Sequence, residues 1–507
     1  MRRAAESGTI HSPYRPAIQS GPLEYLPNMS SKRSLAAIAA RPFSLLPLFA
    51  LAALPPTATA QTTPAVSTAV AFSGSVPAGN VVQGDDGALY GANSTSTFVT
   101  GGLIYRATVD GTSIATLHQM GAEDGVAPQA GLLLASDGRF YGTTKFGKPG
   151  TLDTTGTIFT IKQDGTEFAT LHRFAAFTTV NSATLPENSD GAYPEAELIE
   201  GSDGNLYGTT RAGGPDGTGA VFRIARGGTG FQTLHVFSAI TSAATVTPFV
   251  NVEGMSPVGP LVEGADGKFY GTTSLGGANG RGTVFRINLD GTGFQVLHTF
   301  TATTTNTTTG LLENEDGASP TAGLIDGQDG YFYGVTSQGG TSGNGTIFAM
   351  TPDGATFTTL HVFDGNNGSR PVAELALFSD GKLYGTTYGG GTTSSGAAST
   401  YGTIFSIARD GTGFTNLHSF DNTHGVYPTG QLLQLLPLSS TIFVGTTSSG
   451  GKCGSGTIFR YSSAGDTVTG NTKCGQKKKG NSSGGGATGP AVLLLIGGLA
   501  LARRRRR

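Results

Sequence analysis

Tryptophan is absent from this chain of 507 residues, cysteine occurs twice, and charged residues make up only 13%. Each shortage excludes something. Two thiols cannot make a disulfide-dense scaffold, and Cys453 and Cys474, 21 positions apart with no companion pair, have poor spacing for a metal site. No sustained helical period precedes the C-terminal tail, which argues against an ordinary helical enzyme. The glycine-rich stretches GGPDGTG (213–219) and GGANGRG (276–282) lead into no Gly-Lys-Ser/Thr and open no helix, so they are not nucleotide loops. What is plentiful is glycine, 80 residues without the triplet period of collagen. Length alone leaves the domain count open. Glycine at this frequency suits many short strands joined by tight turns.

Charge is segregated. Residues 61–472 hold 17 Lys/Arg against 32 Asp/Glu, a formal −15, while the remainder holds 15 against 2. An acidic middle repels phosphate backbones, so no nucleic-acid partner is expected. Both ends read as addresses. Residues 1–60 are read as an upstream extension plus a signal peptide: Met29 is a second plausible start, Lys32 and Arg33 precede the apolar run FSLLPLFALAAL (43–54), and small residues lead to cleavage between Ala60 and Gln61. Residues 462–489 read as a Gly/Ser/Lys-rich linker. Residues 490–507, PAVLLLIGGLALA followed by RRRRR, read as an apolar sorting or anchor segment, shorter than the roughly 20 residues of a spanning helix. The chain is therefore expected to be exported to the cell surface or beyond, touching membrane only through this tail. In that setting Cys453 and Cys474 are expected to form a disulfide.

Between these ends a phrase repeats. DGALYG (86), DGRFYG (137), DGNLYG (203), DGKFYG (266), DGYFYG (329) and DGKLYG (380) each introduce a unit, and a degenerate copy, TIFVGTT, begins at 441. In residues 259–300, GPLVEGADG, KFYGTT, GTVFRINLDG and GFQVLHTF supply four strands, with Asp-Gly turns between the first and second and between the third and fourth. A two-residue hairpin with positive φ at both Asp and Gly is the expected turn. Strict alternation along FQVLHTF would put Phe294, Val296, His298 and Phe300 on one face.

Four strands in each of seven units make an all-β, seven-bladed β-propeller. A proline marks each first strand: Pro77, Pro128, Pro194, Pro257, Pro320, Pro371 and Pro428. The seventh unit has a third strand, GTIFRYS (456–462), but no LHxF strand after it, whereas VSTAVAFSGSVP (66–77) is a fourth strand with no unit before it. An N-terminal strand that completes the last blade closes residues 61–461 into a ring; an open solenoid has no use for such an arrangement.

The recurring His118, His172, His235, His298, His361 and His418 sit on equivalent strands far apart, whereas catalysis needs one asymmetric constellation. A structural role, a buried ring bonded to a neighbouring blade's backbone, is expected for them, and turn formation for the Asp-Gly pairs, which offer a calcium loop too few oxygens. No catalytic, cofactor-binding or metal-ligating residue is assigned. Three long connections, 175–191, 238–254 and 301–317, are expected to form a raised Thr-rich acidic patch. Tyr388 and Tyr401 join the same face, and His424, which replaces the acidic residue of the EDGxxP turn, completes the candidate binding residues.

The pattern DG-x-[LF]-YGTT-x-x-GG…GT-[IV]-F-x-[IM]…DGT-x-F-x-x-LH-x-F resembles the GloVer tandem repeat of bacterial surface proteins described as choice-of-anchor, across most of residues 80–461. Blade 1 departs from it with YGANS, and blade 7 lacks Asp-Gly and the LH phrase. The tail SSGGGATGPAVLLLIGGLALARRRRR is similar to a GlyGly-CTERM sorting signal, which implies processing by a rhomboid-type protease and surface display or release. The resemblance brings no activity. The chain is read as a surface-anchored binding or adhesion scaffold for a glycan or an envelope protein, with export and sorting machinery as further partners and no cofactor. Two alternatives stand beside this: a propeller hydrolase or lyase with its site at the central channel, which a single non-repeated acid/base cluster there would favour, and a passive surface-layer component.

Overall fold

The computed structural model describes residues 64–95, 101–148, 155–178, 185–241, 248–393, 396–436 and 442–465, with Thr467, Gly470 and Cys474. The chain divides into Met1–Ala60 and Gln61–Arg507. The expected signal peptide, its Ala60/Gln61 junction, most of the linker and the sorting tail lie outside the described residues. Every regular element described is a strand, and no described helix is long and apolar enough to cross a membrane. Six sheets are four-stranded antiparallel meanders; the seventh is built from both ends of the ring. Blade 4 shows the pattern: Val262–Glu263 is innermost, then Lys268–Thr273, Thr283–Asn288 and Gln295–Thr299 outermost.

The repeated letters have separate physical jobs. In six blades the Asp of DGxxY accepts a hydrogen bond from the hydroxyl of the Tyr four residues on, at 2.7–3.0 Å, as in Asp203–Tyr207 and Asp266–Tyr270. Only the Gly of each pair takes positive φ, 76° at Gly204, so the expected two-residue hairpin is replaced by a wider turn. Gly201 and Asn205 pair across it, and the Asp203 carboxylate accepts the Asn205 N–H. The Gly of YGTT makes room for an aromatic ring of its own blade: a Cβ on Gly271 would lie 2.6 Å from Phe285, its cross-strand partner. Contact between blades comes from the threonine after it, whose hydroxyl reaches a carbonyl of the next blade's inner segment, as in Thr272 to Ala322 at 2.8 Å and Thr446 to Gly79 at 2.9 Å.

Between blades lies the core. Tyr207, Val221 and Phe237 of blade 3 pack on Leu261, Phe269, Phe285 and Ile287 of blade 4, nearly all of them without exposed surface. Each such Phe is worth roughly 2–3 kcal/mol of burial. The ring closes as the sequence implies. Ala65–Ala71 pairs antiparallel with Thr457–Ser462, placing Val66 opposite Tyr461 and Ala71 opposite Thr457.

The outer strands correct the alternation argument. His298 pairs with Val284 but Val296 with Phe285, so Leu297 is a bulged extra residue, and the same shift recurs at the equivalent place in blades 1 to 6. The histidines also differ from expectation. Instead of bonding a neighbouring blade's backbone, Nε2 of His118, His172 and His298 meets Asp124, Asp190 and Asp316 at 3.0 Å, His235 meets Glu253 at 3.2 Å, and His361 meets Asn367 at 3.1 Å. Each ring then stacks on a Phe of the following blade, with centroids 3.7–3.9 Å apart. A carboxylate that positions the imidazole and a ring that covers it explain why His repeats without chemistry.

Candidate functional site at the channel

Chemistry that is not repeated is found where the blades converge. Inner segments of adjacent blades touch directly: a Cβ on Gly79 would lie 2.4 Å from Gly131 N, and one on Gly259 the same distance from Gly323 N. Two positions ring the mouth of the channel they surround. One is the residue before the inner proline, which in blades 2 to 7 is Ala127, Tyr193, Ser256, Ser319, Arg370 or Tyr427, all non-glycine residues with φ of 53–59°. This left-handed conformation is strained for such residues, especially before proline. Its recurrence makes the backbone architectural; the side chains are what vary. The second position, which hydrogen-bonds the first, holds Lys145, Arg211, Ser274, Ser337, Tyr388 or Ser448.

Variation at these positions divides the mouth. Blades 4 and 5 carry serine at both, and Ser274 and Ser337 turn their hydroxyls back onto the carbonyls of Ser256 and Ser319. Blades 6 and 7 carry bulk: the rings of Tyr388 and Tyr427 stack with centroids 4.8 Å apart, Tyr401 meets Tyr427 edge-on at 6.3 Å, and the Arg370 guanidinium lies 5.1 Å from the Tyr388 ring. Burial raises the Tyr388 phenol above its ordinary range, so it remains a neutral donor. On the side of blades 2 and 3, Tyr193 contacts Phe146 and Phe177, and Glu195 is paired with Lys145 at 2.7 Å and Arg211 at 3.5 Å.

Deeper, three residues past each proline, the ring reads Asn80, Gly131, Glu197, Pro260, Gly323, Glu374 and Gln431. Asn80 Nδ2 donates to Glu197 Oε2 at 2.9 Å across the gap left by Gly131, and the Gln431 N–H donates to Asn80 Oδ1 at 2.6 Å. Burial pushes Glu197 up to about 7, against the opposing hydrogen bond from Asn80. Burial pushes Glu374 up to about 8, with the charge of Glu197 adding to it. Both residues are half-buried.

Of the residues singled out from sequence, the structure brings Tyr388 and Tyr401 together, with Tyr427 between them; Tyr427 and Arg370 went unnoticed because each is a single departure inside a repeated phrase. His424 is elsewhere. It lies on the outer rim beside His418, ring centroids 6.1 Å apart, and 3.6 Å from Asp421. Burial, helped by His424, holds His418 down at about 4, and its Nε2 is buried without a hydrogen-bond partner. Cys453 and Cys474 are joined as a disulfide. The three long connections share one brace: Asn188, Asn251 and Asn314 each span the base of their own connection and accept an N–H from Gly214, Gly277 or Gly340. Two shallow depressions, beside Asp86 and Arg106 in blade 1 and beside Asp137 and Arg139 in blade 2, lie against the Asp-Gly turns. No cluster of three or more His, Cys, Asp or Glu that could hold a metal occurs among the described residues.

The sequence profile of a family described as the Gloeobacter/Verrucomicrobia repeat matches residues 54–247, 177–317 and 247–397. No curated protein matches the chain. Among solved structures, it is similar to an oligogalacturonate lyase in complex with manganese, at 11% identity and TM-score 0.44, over 79% of this chain and 96% of that one. A putative 6-phosphogluconolactonase from Bacteroides fragilis is similar at 14% identity and TM-score 0.42, over 73% and 87% of the two chains. The crystal structure of a nidogen/laminin complex is similar at 14% identity and TM-score 0.36, over 61% and 88%.

Proposed function

The chain belongs to the Gloeobacter/Verrucomicrobia repeat family, and from that premise we propose that it is an exported, surface-displayed binding protein that holds a saccharide at the channel mouth. The observation that carries this reading is the pair of mouth positions, constant in backbone and varied in side chain, which set the Tyr388/Tyr427/Tyr401 group and Arg370 beside a serine side. Aromatic rings stack on the C–H faces of sugars, while guanidinium and hydroxyl groups bond sugar oxygens. The N-terminal charged-apolar-small pattern and the C-terminal apolar segment with its five arginines support export and display. The test is retention of the full chain on immobilised neutral and acidic polysaccharides. Tyr427→Ala and Tyr388→Ala are expected to weaken retention at least tenfold while the Tm moves little. Retention by both variants equal to that of the parent protein would remove the mouth as the binding site.

A second reading, a hydrolase or lyase, is favoured by Glu197 and Glu374, a non-repeated carboxyl pair in the channel with pKa values in the range general acid/base catalysis uses. It requires new reducing ends or unsaturated products from a retained polysaccharide, lost in Glu374→Gln while binding persists.

A further inference from the structure

Below the mouth, the ring of inner residues is poor in positive charge and rich in oxygen. Several half-buried carboxylates have cationic or imidazole partners, as Glu195 has Lys145, Glu200 has Arg226 and Asp190 has His172. Among the described residues, no Lys, Arg or His pairs with Glu197 or Glu374, and Glu197 receives one amide donor, from Asn80. Space has been made for both acids. A Cβ on Gly131 would stand 2.4 Å from Glu197 Oε2, and one on Gly323 2.1 Å from Glu374 Oε1, so each carboxylate occupies a notch that a side chain on the facing blade would fill.

Two neighbours point the same way. Gln431 spends its amide N–H on the Leu375 carbonyl at 2.7 Å, which leaves its side-chain oxygen for another partner. Thr386 is 2% exposed and its hydroxyl has no hydrogen-bond partner, although the equivalent threonines of blades 2, 3, 4 and 7 all donate to the next blade. Ala376 pairs with Tyr384, and that register carried two residues on brings Thr386 of the same blade level with Glu374. Two carboxylates with amide and hydroxyl oxygens, and no nitrogen or sulfur donor, form the donor set of a hard cation, and two negative charges match a divalent one.

We propose that the channel below the mouth is a binding site for a divalent, oxygen-seeking cation of the calcium class, with Glu197 and Glu374 supplying charge and Asn80, Gln431 and Thr386 supplying neutral oxygen. This goes beyond the saccharide reading and does not depend on it. The experiment uses the full chain after chelation and desalting, with calcium chloride as the probe. One calcium per chain is expected to remain after gel filtration in micromolar calcium. At about a hundredfold excess of calcium over Kd the Tm is expected to rise by about 3 °C. In Glu197→Gln/Glu374→Gln, which preserves shape, both effects are expected to vanish while the chelated variant still unfolds cooperatively. Calcium bound equally by that variant would overturn the proposal, as would no calcium bound by the parent protein. A response to the diamine cadaverine in place of calcium would also overturn it, since the site would then take an ammonium group. Saccharide retention, read separately on Tyr427→Ala, keeps failure of this site distinct from failure of the mouth.

Discussion

At the scale of single residues, two buried groups titrate in opposite senses. Glu374 keeps its proton in the folded chain up to about pH 8, whereas an unfolded glutamate releases it near pH 4.5; between those values the fold binds more protons, and stability falls as pH rises. His418 is held at about 4 against 6.5 when unfolded, so its contribution is complete above pH 6.5 and is lost as pH falls through 4. Each group changes stability by at most about 1.4 kcal/mol per pH unit inside its window. Between about pH 4.5 and 6.5 His418 opposes the carboxyls, but above 6.5 Glu374 and Glu197, the latter pushed up to about 7, act unopposed, so in chelator the Tm is expected to fall from pH 6.5 to 8. Glu374→Gln should flatten that fall and His418→Phe should extend it down to pH 5, measured by thermal unfolding between pH 5 and 9. A partner for His418 is also easy to restore: His424→Asp recreates the pair seen at His298 and Asp316, with an expected gain of about 1 kcal/mol at neutral pH in urea unfolding. The role of Asp in DGxxY was only half legible. Turn formation follows from composition, but the bond to Tyr four residues on depends on a side chain folding back over its own strand, which propensity does not encode.

At the scale of elements, the closing strand is the informative one. Its place in the ring was readable because Pro77 follows a fourth strand that has no unit before it, and its register now shows TAVAF standing where blade 4 has VLHTF, with Val70 opposite Ile458 as His298 is opposite Val284. Val70 is 1% exposed. Val70→Asp would bury an unpaired carboxylate there, with an expected loss of more than 3 kcal/mol and an exposed Thr457–Ser462 edge prone to pair with other chains, visible as concentration-dependent aggregation in light scattering. The bulge at Leu297 and its equivalents was not legible, because the extra residue answers to strand twist rather than to any local preference of Leu. The mouth escaped for a different reason. Repeated phrases, LHxF and the inner proline alike, draw attention to what is constant, whereas Tyr193, Arg370 and Tyr427 are departures at the position before that proline.

At the scale of the whole molecule the ring is not equally fastened. Histidine-phenylalanine stacks join blades 1/2, 2/3, 3/4, 4/5 and 5/6. Between blades 6 and 7, His418 has neither a carboxylate nor a stacked Phe, and blade 7 supplies Val70 where the others supply His. Native-state hydrogen exchange should open first along Thr415–Ser419 and Thr457–Ser462 and last in blades 3 and 4; the reverse order would show that the stacks do not govern local opening. Sevenfold repetition announced the architecture, and departures from it carry the candidate chemistry.

Order of synthesis gives the antiparallel pairing of Ala65–Ala71 with Thr457–Ser462 one more meaning. The first ring segment to emerge must wait for the last, so nearly four hundred residues pass before the circle can shut. Until then both free borders remain unsatisfied, and the nascent chain stays open to whatever carries it.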